Sequence, residues 1–193
     1  MQTEISDQKQ SLRKQLNTDL SSYSSEKLTQ WAYSVQKKVL DSDIFASSQN
    51  IGLYQSAFHE LETKLLFEES KGIGKKLAYP KIEDEKGPLV FFWVDTQDQL
   101  QKSKWGVFEP DEKRGAQKAS MDEIDLLIIP GLAFDRSGFR LGRGKGFYDR
   151  TLKNFLGQRL GLAYSFQLFS QIPHETWDEK VNWLATEKEW ICV

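Results

Sequence analysis

The stretch IDLLIIPGLAFDRSGFRLGRGKGFYDR, residues 124–150, decides the fold of this chain. It opens with a short β-rich apolar run, residues 126–129, of the kind that is buried on both faces of a sheet. It closes with a basic glycine-rich loop, followed by residues 148–156, which have a helical pattern. Ligands of open α/β sheets bind beyond the carboxyl ends of the strands. The stretch therefore predicts an α/β sheet with a ligand-binding loop at the end of a central strand.

The segments on either side of this stretch alternate between helical and strand patterns. Apolar residues recur at helical spacing over residues 3–20, again from Ser24 or Ser25 onward, and in residues 60–70. Strand patterns lie at residues 50–55, 76–80, 89–95 and 159–165 and near the C-terminus, whereas residues 106–123 form a polar connection. We predict an α/β fold with helices on both faces of the sheet (three-layer α/β/α), a helical N-terminal arm and a single domain over residues 1–193.

Charge and cysteine content narrow the class of protein. Lys and Arg total 26 against 28 Asp and Glu, so the net charge of −2 provides no global field for a polyanion. The single cysteine, Cys192, excludes an internal disulfide and a cysteine cluster for zinc, and we expect it to be a buried small hydrophobe. The polar N-terminus and the absence of a run of roughly 20 apolar residues favour a cytoplasmic protein.

The glycine-rich loop has the composition of a phosphate-binding site. Gly142, Gly144 and Gly146 lack Cβ atoms, so the backbone can adopt positive φ angles and turn successive N–H groups toward one point. Arg140, Arg143 and Lys145 add positive charge, and the next helix would direct its N-terminus to the same place.

Other interpretations of this loop stay open on the pattern alone. It is neither a Walker loop, because no Ser or Thr follows Lys145, nor a strict dinucleotide fingerprint, because its third glycine comes too early. It could be a flexible solvated loop, or it could contact single-stranded nucleic acid through Phe147 or Tyr148. The near-zero net charge argues against nucleic acid.

Three other residues or pairs have simple structural interpretations. Lys9 and Arg13 are spaced i, i+4 and project from one side of the first helix, where a solvated basic face is the ordinary reading. No serine and carboxylate pattern makes His59 or His174 a member of a catalytic triad. We interpret His59 as a neighbour of the site and His174 as structural.

Five separated blocks carry a resemblance to a known family. They are KQSLR (9–13), HELET (59–63), WGVFEP (105–110), PGLAFDRSGFRLGRGKGFYDR (130–150) and IPHETWDEKV (172–181). In this order they resemble the 5-formyltetrahydrofolate cyclo-ligase family, also called methenyltetrahydrofolate synthetases, from about Lys9 to about Asn182. The resemblance implies a single-domain α/β enzyme that uses ATP and Mg²⁺ to convert 5-formyltetrahydrofolate into 5,10-methenyltetrahydrofolate, releasing ADP and phosphate.

The resemblance also implies the site residues. It assigns ATP to Lys9, Gln10, Ser11, Leu12 and Arg13 and to Arg140, Leu141, Gly142, Arg143, Gly144, Lys145, Gly146, Phe147 and Tyr148. It assigns the folate to Gln55, Glu60, Trp105, Arg143, Gly144, Lys145, Gly146 and Phe147. It assigns Mg²⁺ to Asp149 and Asp178, and we expect Arg143, Lys145 and Tyr148 to be catalytic.

The implied chemistry suits these residue types. Phosphorylation of the formyl oxygen makes it a good leaving group for attack by N10, and phosphoryl transfer depends on positioning and on cations. A carboxylate such as Glu60 can accept two hydrogen bonds from the amino-pyrimidinone edge of a pterin, although it could also be a first-turn helix glutamate. Trp105 could stack on the pterin or lie in the core.

The chain departs from the family pattern at three positions. Phe147 stands where a tyrosine is usual, which leaves the polar role there to Tyr148, while Trp177 and Asn182 lie on either side of the implied second metal ligand. Two rival functions stay open: a non-catalytic nucleotide- or nucleic-acid-binding module, and another ATP-dependent ligase or kinase. We expect a monomer that binds a small folate and ATP, with no nucleic-acid or membrane partner.

Overall fold

A computed structural model describes residues 2–57 and 60–193 of the chain. Its helices are α1 Gln2–Ser21, α2 Ser25–Leu40, α3 Asp43–Ser47, α4 Lys64–Gly72 and α5 Phe147–Leu152. Its strands are β1 Asn50–Gly52, β2 Lys76–Lys81, β3 Val90–Trp93, β4 Leu100–Lys102, β5 Phe108–Pro110, β6 Gln117–Lys118, β7 Leu126–Pro130, β8 Ala133–Asp135, β9 Arg140–Leu141, β10 Gln158–Leu162, β11 Leu168–Phe169, β12 Trp183–Ala185 and β13 Trp190–Cys192.

The main sheet has a parallel centre with antiparallel edges. Its strand order is β13-β12-β10-β7-β1-β2-β3-β6. Within this order, the strands β12, β10, β7, β1 and β2 run parallel to one another. Every residue of β7 is buried, as the apolar run predicts. Leu126 and Ile128 belong to one hydrophobic cluster and Leu127 and Ile129 to another, because successive side chains of a strand point to opposite faces.

Helices cover both faces of this sheet. Helices α2 and α4 pack over the face of Leu126 and Ile128, and Leu152 of α5 packs on the opposite face. Helix α1 lies on a small sheet of order β11-β8-β9, where Leu16 contacts Leu132 and Leu141 in a third cluster. The predicted α/β fold with a helical N-terminal arm is therefore confirmed. No helix among the described residues is long and apolar enough to span a bilayer.

Several boundaries differ from the sequence predictions. The strand at residues 50–55 ends at Gly52, and helix α4 begins at Lys64 rather than near Glu60. Residues 106–123, predicted as a polar connection, contain strands β5 and β6. These strands were missed because they are two or three residues long. Strand β6 has only exposed polar side chains, and β5 exposes its phenylalanine and buries its glutamate. Ser24, predicted as one of two candidate caps, accepts a hydrogen bond from the Lys27 amide and begins α2.

The burial prediction for Cys192 is wrong. Cys192 is exposed, although it belongs to strand β13 as the C-terminal pattern predicted. The physical reason is position, because β13 is the edge strand and pairs only with β12 in the main sheet.

Asp135, at the end of β8, is a buried carboxylate that holds two parts of the chain together. It is 1% exposed, and its Oδ1 accepts hydrogen bonds from the amides of Ser137 and Phe139, each at 3.0 Å. Its Oδ2 accepts from the Ile172 amide at 3.2 Å. The turn that leads into β9 is thereby fixed to the segment beginning at Ile172.

We expect Asp135→Ala to lower the free energy of unfolding by about 3 kcal/mol, because it leaves the buried Ile172 amide and two partly buried amides without an acceptor. Chemical denaturation followed by circular dichroism measures this loss. The exposed Asp122→Ala variant is the control and should stay within about 0.5 kcal/mol of the parent. Equal stabilities of the two variants would contradict the role assigned to Asp135.

Candidate active site

A cavity of about 890 Å³ lies at the carboxyl ends of parallel strands. Residues that follow three neighbouring strands line it: Tyr54 after β1, Ile82 after β2 and Gly131 after β7. Helix α1, the loop between β9 and α5, the β4–β5 hairpin and the segment near Asp178 complete its walls. The sequence predicted a ligand-binding loop here, beyond the carboxyl end of a central strand.

The glycine-rich loop adopts left-handed backbone conformations at two of its three glycines. Gly144 has a φ of +95° and Gly146 a φ of +67°, a region that L side chains rarely adopt. Gly142 has no positive φ, and its requirement is spatial, because a Cβ there would come within 2.6 Å of Arg140 Nη1. The loop therefore needs all three glycines, but for two different reasons.

Arg140 and Asp149 form an ion pair across the two ends of this loop. Arg140 Nη2 donates to Asp149 Oδ1 at 2.9 Å, and the arginine side chain is only 4% exposed. The guanidinium carbon lies 5.3 Å from the centre of the Tyr148 ring. Within the described residues the buried Arg140 Nε has no hydrogen-bond acceptor. The pair fixes Asp149 and leaves one N–H available for a ligand or a water molecule.

Helix α1 contacts the site through two of its three cations, Lys9 and Arg13. Lys9 Nζ donates to Asp178 Oδ2, and Arg13 Nε donates to the Gly142 carbonyl at 2.9 Å. Burial lowers the pKa of Arg13, while the charge of Asp178 opposes this effect. The interpretation of Lys9 and Arg13 as a solvated basic face is therefore wrong. The helical spacing placed them correctly on one side, but the pattern could not show that this side faces the loop.

Glu60 binds Arg143 across the mouth of the cavity. Arg143 Nε donates to Glu60 Oε1 at 3.0 Å, and Glu60 Oε2 accepts from the Ala57 amide at 3.0 Å. The glutamate side chain is 12% exposed and the arginine side chain 45%. Since α4 begins only at Lys64, the interpretation of Glu60 as a first-turn helix glutamate is wrong.

The remaining predicted catalytic and ligand-binding side chains differ in their surroundings. Burial raises the pKa of the Tyr148 phenol, and its hydroxyl has no hydrogen-bond partner among the described residues. Lys145 is exposed and lines the cavity. Trp105 is half-buried in the cavity wall rather than in a core cluster, with Lys104 Nζ 4.8 Å from its ring centre. The Arg150 guanidinium lies 5.1 Å from the ring centre of Phe147.

Most of the predicted site residues share this one cavity. Those that line it are Lys9, Arg13, Gln55, Glu60, Trp105, Arg140, Leu141, Gly142, Arg143, Gly144, Lys145, Gly146, Phe147, Tyr148, Asp149 and Asp178. Three others, Gln10, Ser11 and Leu12, are absent from the lining. Gln10 and Ser11 are exposed, and Leu12 packs with the cluster beneath α1.

Sequence reasoning missed Ser6 and Glu109, which also line the cavity. Ser6 lies one helical turn before Lys9, so the spacing of Lys9 and Arg13 could have found it. Glu109 belongs to the WGVFEP block, so the family resemblance of that block is the signal that could have found it.

The histidines and the unusual residues near Asp178 have separate places. His59 lies outside the described residues. His174 stacks on Phe139 at 3.6 Å between ring centres, in agreement with a structural role. Trp177 is 56% exposed and lines the cavity. Asn182 does not line it, and its Oδ1 accepts from the Arg159 amide beside β10.

The two carboxylates predicted for Mg²⁺ fit that ion in number and type. Asp149 and Asp178 both line the cavity, and each uses one oxygen to pair with a cation of the chain. The described part of the chain contains no group of three or more His, Cys, Asp or Glu residues that could hold a metal. Mg²⁺ is commonly bound by one or two carboxylates together with substrate phosphates and water. The donor set therefore suits an ion that binds with a phosphate ligand.

The fold and the cavity define an α/β protein with a basic, glycine-lined cleft at the carboxyl end of its sheet. The model of the 5-formyltetrahydrofolate cyclo-ligase family matches residues 5–187. The 5-formyltetrahydrofolate cyclo-ligase of Haemophilus influenzae is 35% identical over 136 residues, covering 68% of this chain and 72% of that protein. The mouse 5-formyltetrahydrofolate cyclo-ligase is 28% identical over 188 residues, covering 92% of this chain and 93% of that protein.

A solved structure agrees with the family match. The NMR structure of Aquifex aeolicus 5,10-methenyltetrahydrofolate synthetase superposes with a TM-score of 0.84 at 32% identity, covering 95% of this chain and 92% of that one. The chain belongs to the 5-formyltetrahydrofolate cyclo-ligase family. The predicted resemblance, and with it the prediction of an enzyme of this ligase class, is confirmed.

We expect Asp149→Ala to destabilise the fold by about 3–5 kcal/mol, because the change leaves the buried Arg140 guanidinium without its carboxylate. Thermal and chemical denaturation measure the loss. Lys145→Ala, in the same loop but exposed, is the matched control and should alter stability by less than about 0.5 kcal/mol. If both variants are as stable as the parent, the ion pair does not hold the loop.

Proposed function

We propose that this chain is a single 5-formyltetrahydrofolate cyclo-ligase domain over residues 1–193 that converts 5-formyltetrahydrofolate into 5,10-methenyltetrahydrofolate. The reaction consumes ATP with Mg²⁺ and releases ADP and phosphate. The observation that carries the proposal is that most of the predicted nucleotide-binding and folate-binding residues line one cavity at the end of β7. Membership of the family supports the same reaction.

The phosphate side of the cavity consists of the glycine-rich loop and α1. Arg13 contacts the carbonyl of Gly142, so the first helix and the loop present cations to one place. Lys145 is exposed in the cavity wall and makes no ion pair with any described residue, so its ammonium is available to a transferring phosphoryl group. Fixed cations stabilise the charge that phosphoryl transfer spreads over the phosphate oxygens.

The folate side depends on Glu60, which already holds Arg143. A pterin edge offers paired N–H donors and would replace the arginine on the carboxylate. Arg143, released from Glu60, could then reach the phosphate that forms on the formyl oxygen. In this exchange, Arg143 joins the other cations around the phosphate only after the folate has bound to Glu60.

Asp149 and Asp178 would hold Mg²⁺ together with oxygens of ATP. The ion would neutralise negative charge on the phosphates. Arg140 and Lys9 already offset part of the negative charge of these carboxylates. We therefore propose that the ion binds mainly with ATP rather than to the free protein. Tyr148, with its buried hydroxyl, contributes a hydrogen-bond donor next to Asp149.

The direct test is incubation of the purified protein with 5-formyltetrahydrofolate, ATP and Mg²⁺ while the absorbance of the methenyl product is followed. We expect product only when ATP and a divalent cation are both present, because phosphoryl transfer needs a bridging metal ion in addition to the cationic side chains of the site. Equal rates after exhaustive chelation would contradict the role of the metal. Absence of product under all conditions would contradict the proposed reaction.

Two substitutions separate the folate side from the phosphate side. We expect Glu60→Gln to raise the KM for the folate strongly and to leave ATP binding to the free enzyme nearly unchanged, since an amide presents a donor to a pterin donor. Lys145→Ala should instead lower kcat at least about tenfold at an unchanged thermal midpoint. Steady-state kinetics and ATP titration provide both readouts.

The exposed Glu62→Gln is the control for the first variant, because it removes a neighbouring charge without touching the cavity. An unchanged KM in Glu60→Gln would remove Glu60 from the folate site. Loss of ATP binding in that variant would instead place Glu60 on the nucleotide side.

A further inference from the structure

The side-chain arrangement of strand β5 is opposite to what hydrophobicity dictates. Phe108 is 49% exposed, whereas the adjacent Glu109 is only 9% exposed and points into the cavity wall. Its Oε1 accepts a hydrogen bond from the Ile82 amide at 3.1 Å. A buried carboxylate normally has a cationic partner, because desolvation of the charge is costly. Among the described residues, no cation lies within ion-pair distance of Glu109.

The nearby cations are occupied elsewhere. Lys81 of β2 pairs with Glu112 at 3.7 Å, and Lys104 in the β4–β5 turn pairs with Glu85 at 3.8 Å. Burial raises the pKa of Glu109, and the Ile82 amide, the Ser103 hydroxyl, Lys81 and Lys104 lower it only in part. The carboxylate therefore has a higher proton affinity than an exposed glutamate and a clear path to the cavity.

The proposed reaction contains a proton transfer that no residue has yet been assigned to. In ring closure, N10 forms a bond to the activated formyl carbon, and the bond from that carbon to the phosphate oxygen breaks. The N10 proton must leave at the same stage, so that the product carries the N5–CH–N10 amidinium cation. Once bonded to carbon, N10 is positively charged and acidic, and a carboxylate suffices as the acceptor.

We propose that Glu109 is the general base that accepts the N10 proton during ring closure. This inference rests on the proposed function. The other described candidates in the cavity are less suited to the task. Asp149 and Asp178 are paired with Arg140 and Lys9, and Glu60 is paired with Arg143. Glu175 also lines the cavity, but its amide donates to Asp178 Oδ2, so it lies beside the proposed metal ligands. The Tyr148 phenol keeps its proton, since burial raises its pKa.

The test separates phosphoryl transfer from ring closure. In a single turnover, rapid quenching measures ADP, which forms when the formyl oxygen is phosphorylated, and absorbance measures the methenyl product, which forms at ring closure. We expect Glu109→Gln to produce ADP at the parent rate and methenyl product at least about 100-fold more slowly, the usual contribution of a general base. The amide oxygen can still accept from Ile82, so the thermal midpoint should stay close to that of the parent.

The pH dependence gives a second readout. A general base acts in its deprotonated form, so the rate of ring closure should fall as the pH decreases through the pKa of Glu109. Because burial raises this pKa, the fall begins at a higher pH than for an exposed glutamate. Glu109→Asp should retain this acidic limb with a lower rate, and Glu109→Gln should lose it. Glu83→Gln removes an exposed carboxylate that pairs with Lys118 outside the cavity, and it should behave like the parent.

Ring closure at the parent rate in Glu109→Gln would overturn the inference. A loss of ADP formation as large as the loss of ring closure, or a lowered thermal midpoint, would also overturn it, because either result indicates a structural role. These outcomes are distinct from failure of the proposed function. If the parent enzyme itself forms no methenyl product, the proposed function is wrong. If the parent forms the product and Glu109→Gln closes the ring at the same rate, the function stands and another group is the base.

Discussion

The buried guanidinium of Arg140 is the charge on which the architecture of the site depends. A fixed charge that is 4% exposed needs a fixed counter-charge, and Asp149 provides it from the first turn of α5. The ion pair brings together two residues that are nine positions apart. The chain between them must therefore close tightly, and the positive φ angles of Gly144 and Gly146 allow this. The tight turn of the loop follows from the pair and the glycines together.

Further polar contacts bring α1 and the segment of Asp178 to the loop. Arg13 of α1 donates to the Gly142 carbonyl, which is available because the loop forms no regular ladder beyond β9. Lys9, one turn earlier, reaches Asp178, and Asp135 holds the segment that leads to Asp178. Each contact joins segments that are distant in sequence. The cavity is thus assembled by polar contacts on top of a sheet that hydrophobic burial has already fixed.

The sequence was informative where the pattern is local and weak where the outcome depends on neighbours. The apolar run of β7 and the glycine spacing of the loop predicted the central strand and the loop correctly, since both depend on residue type. The exposure of Cys192 depends on which strand lies at the edge of the sheet, and a single sequence does not specify this order. The contacts of Lys9 and Arg13 depend likewise on where α1 docks. Glu109 was missed because its burial contradicts its hydrophobicity.

Charge pairing within the cavity has a consequence for how ligands bind. Lys9, Arg140 and Arg143 each hold a carboxylate of the same cavity. Lys145, which lines the cavity, makes no ion pair with a described residue, but an anion that binds to the other three cations must compete with their carboxylates or bring a metal that engages them. The pair of Arg143 with Glu60 is the one that a ligand can exchange at least cost, because the Arg143 side chain is 45% exposed, more than any other member of the three pairs. Exchange at Glu60, rather than movement of the buried Arg140 pair, is therefore the step by which the site can respond to its substrates.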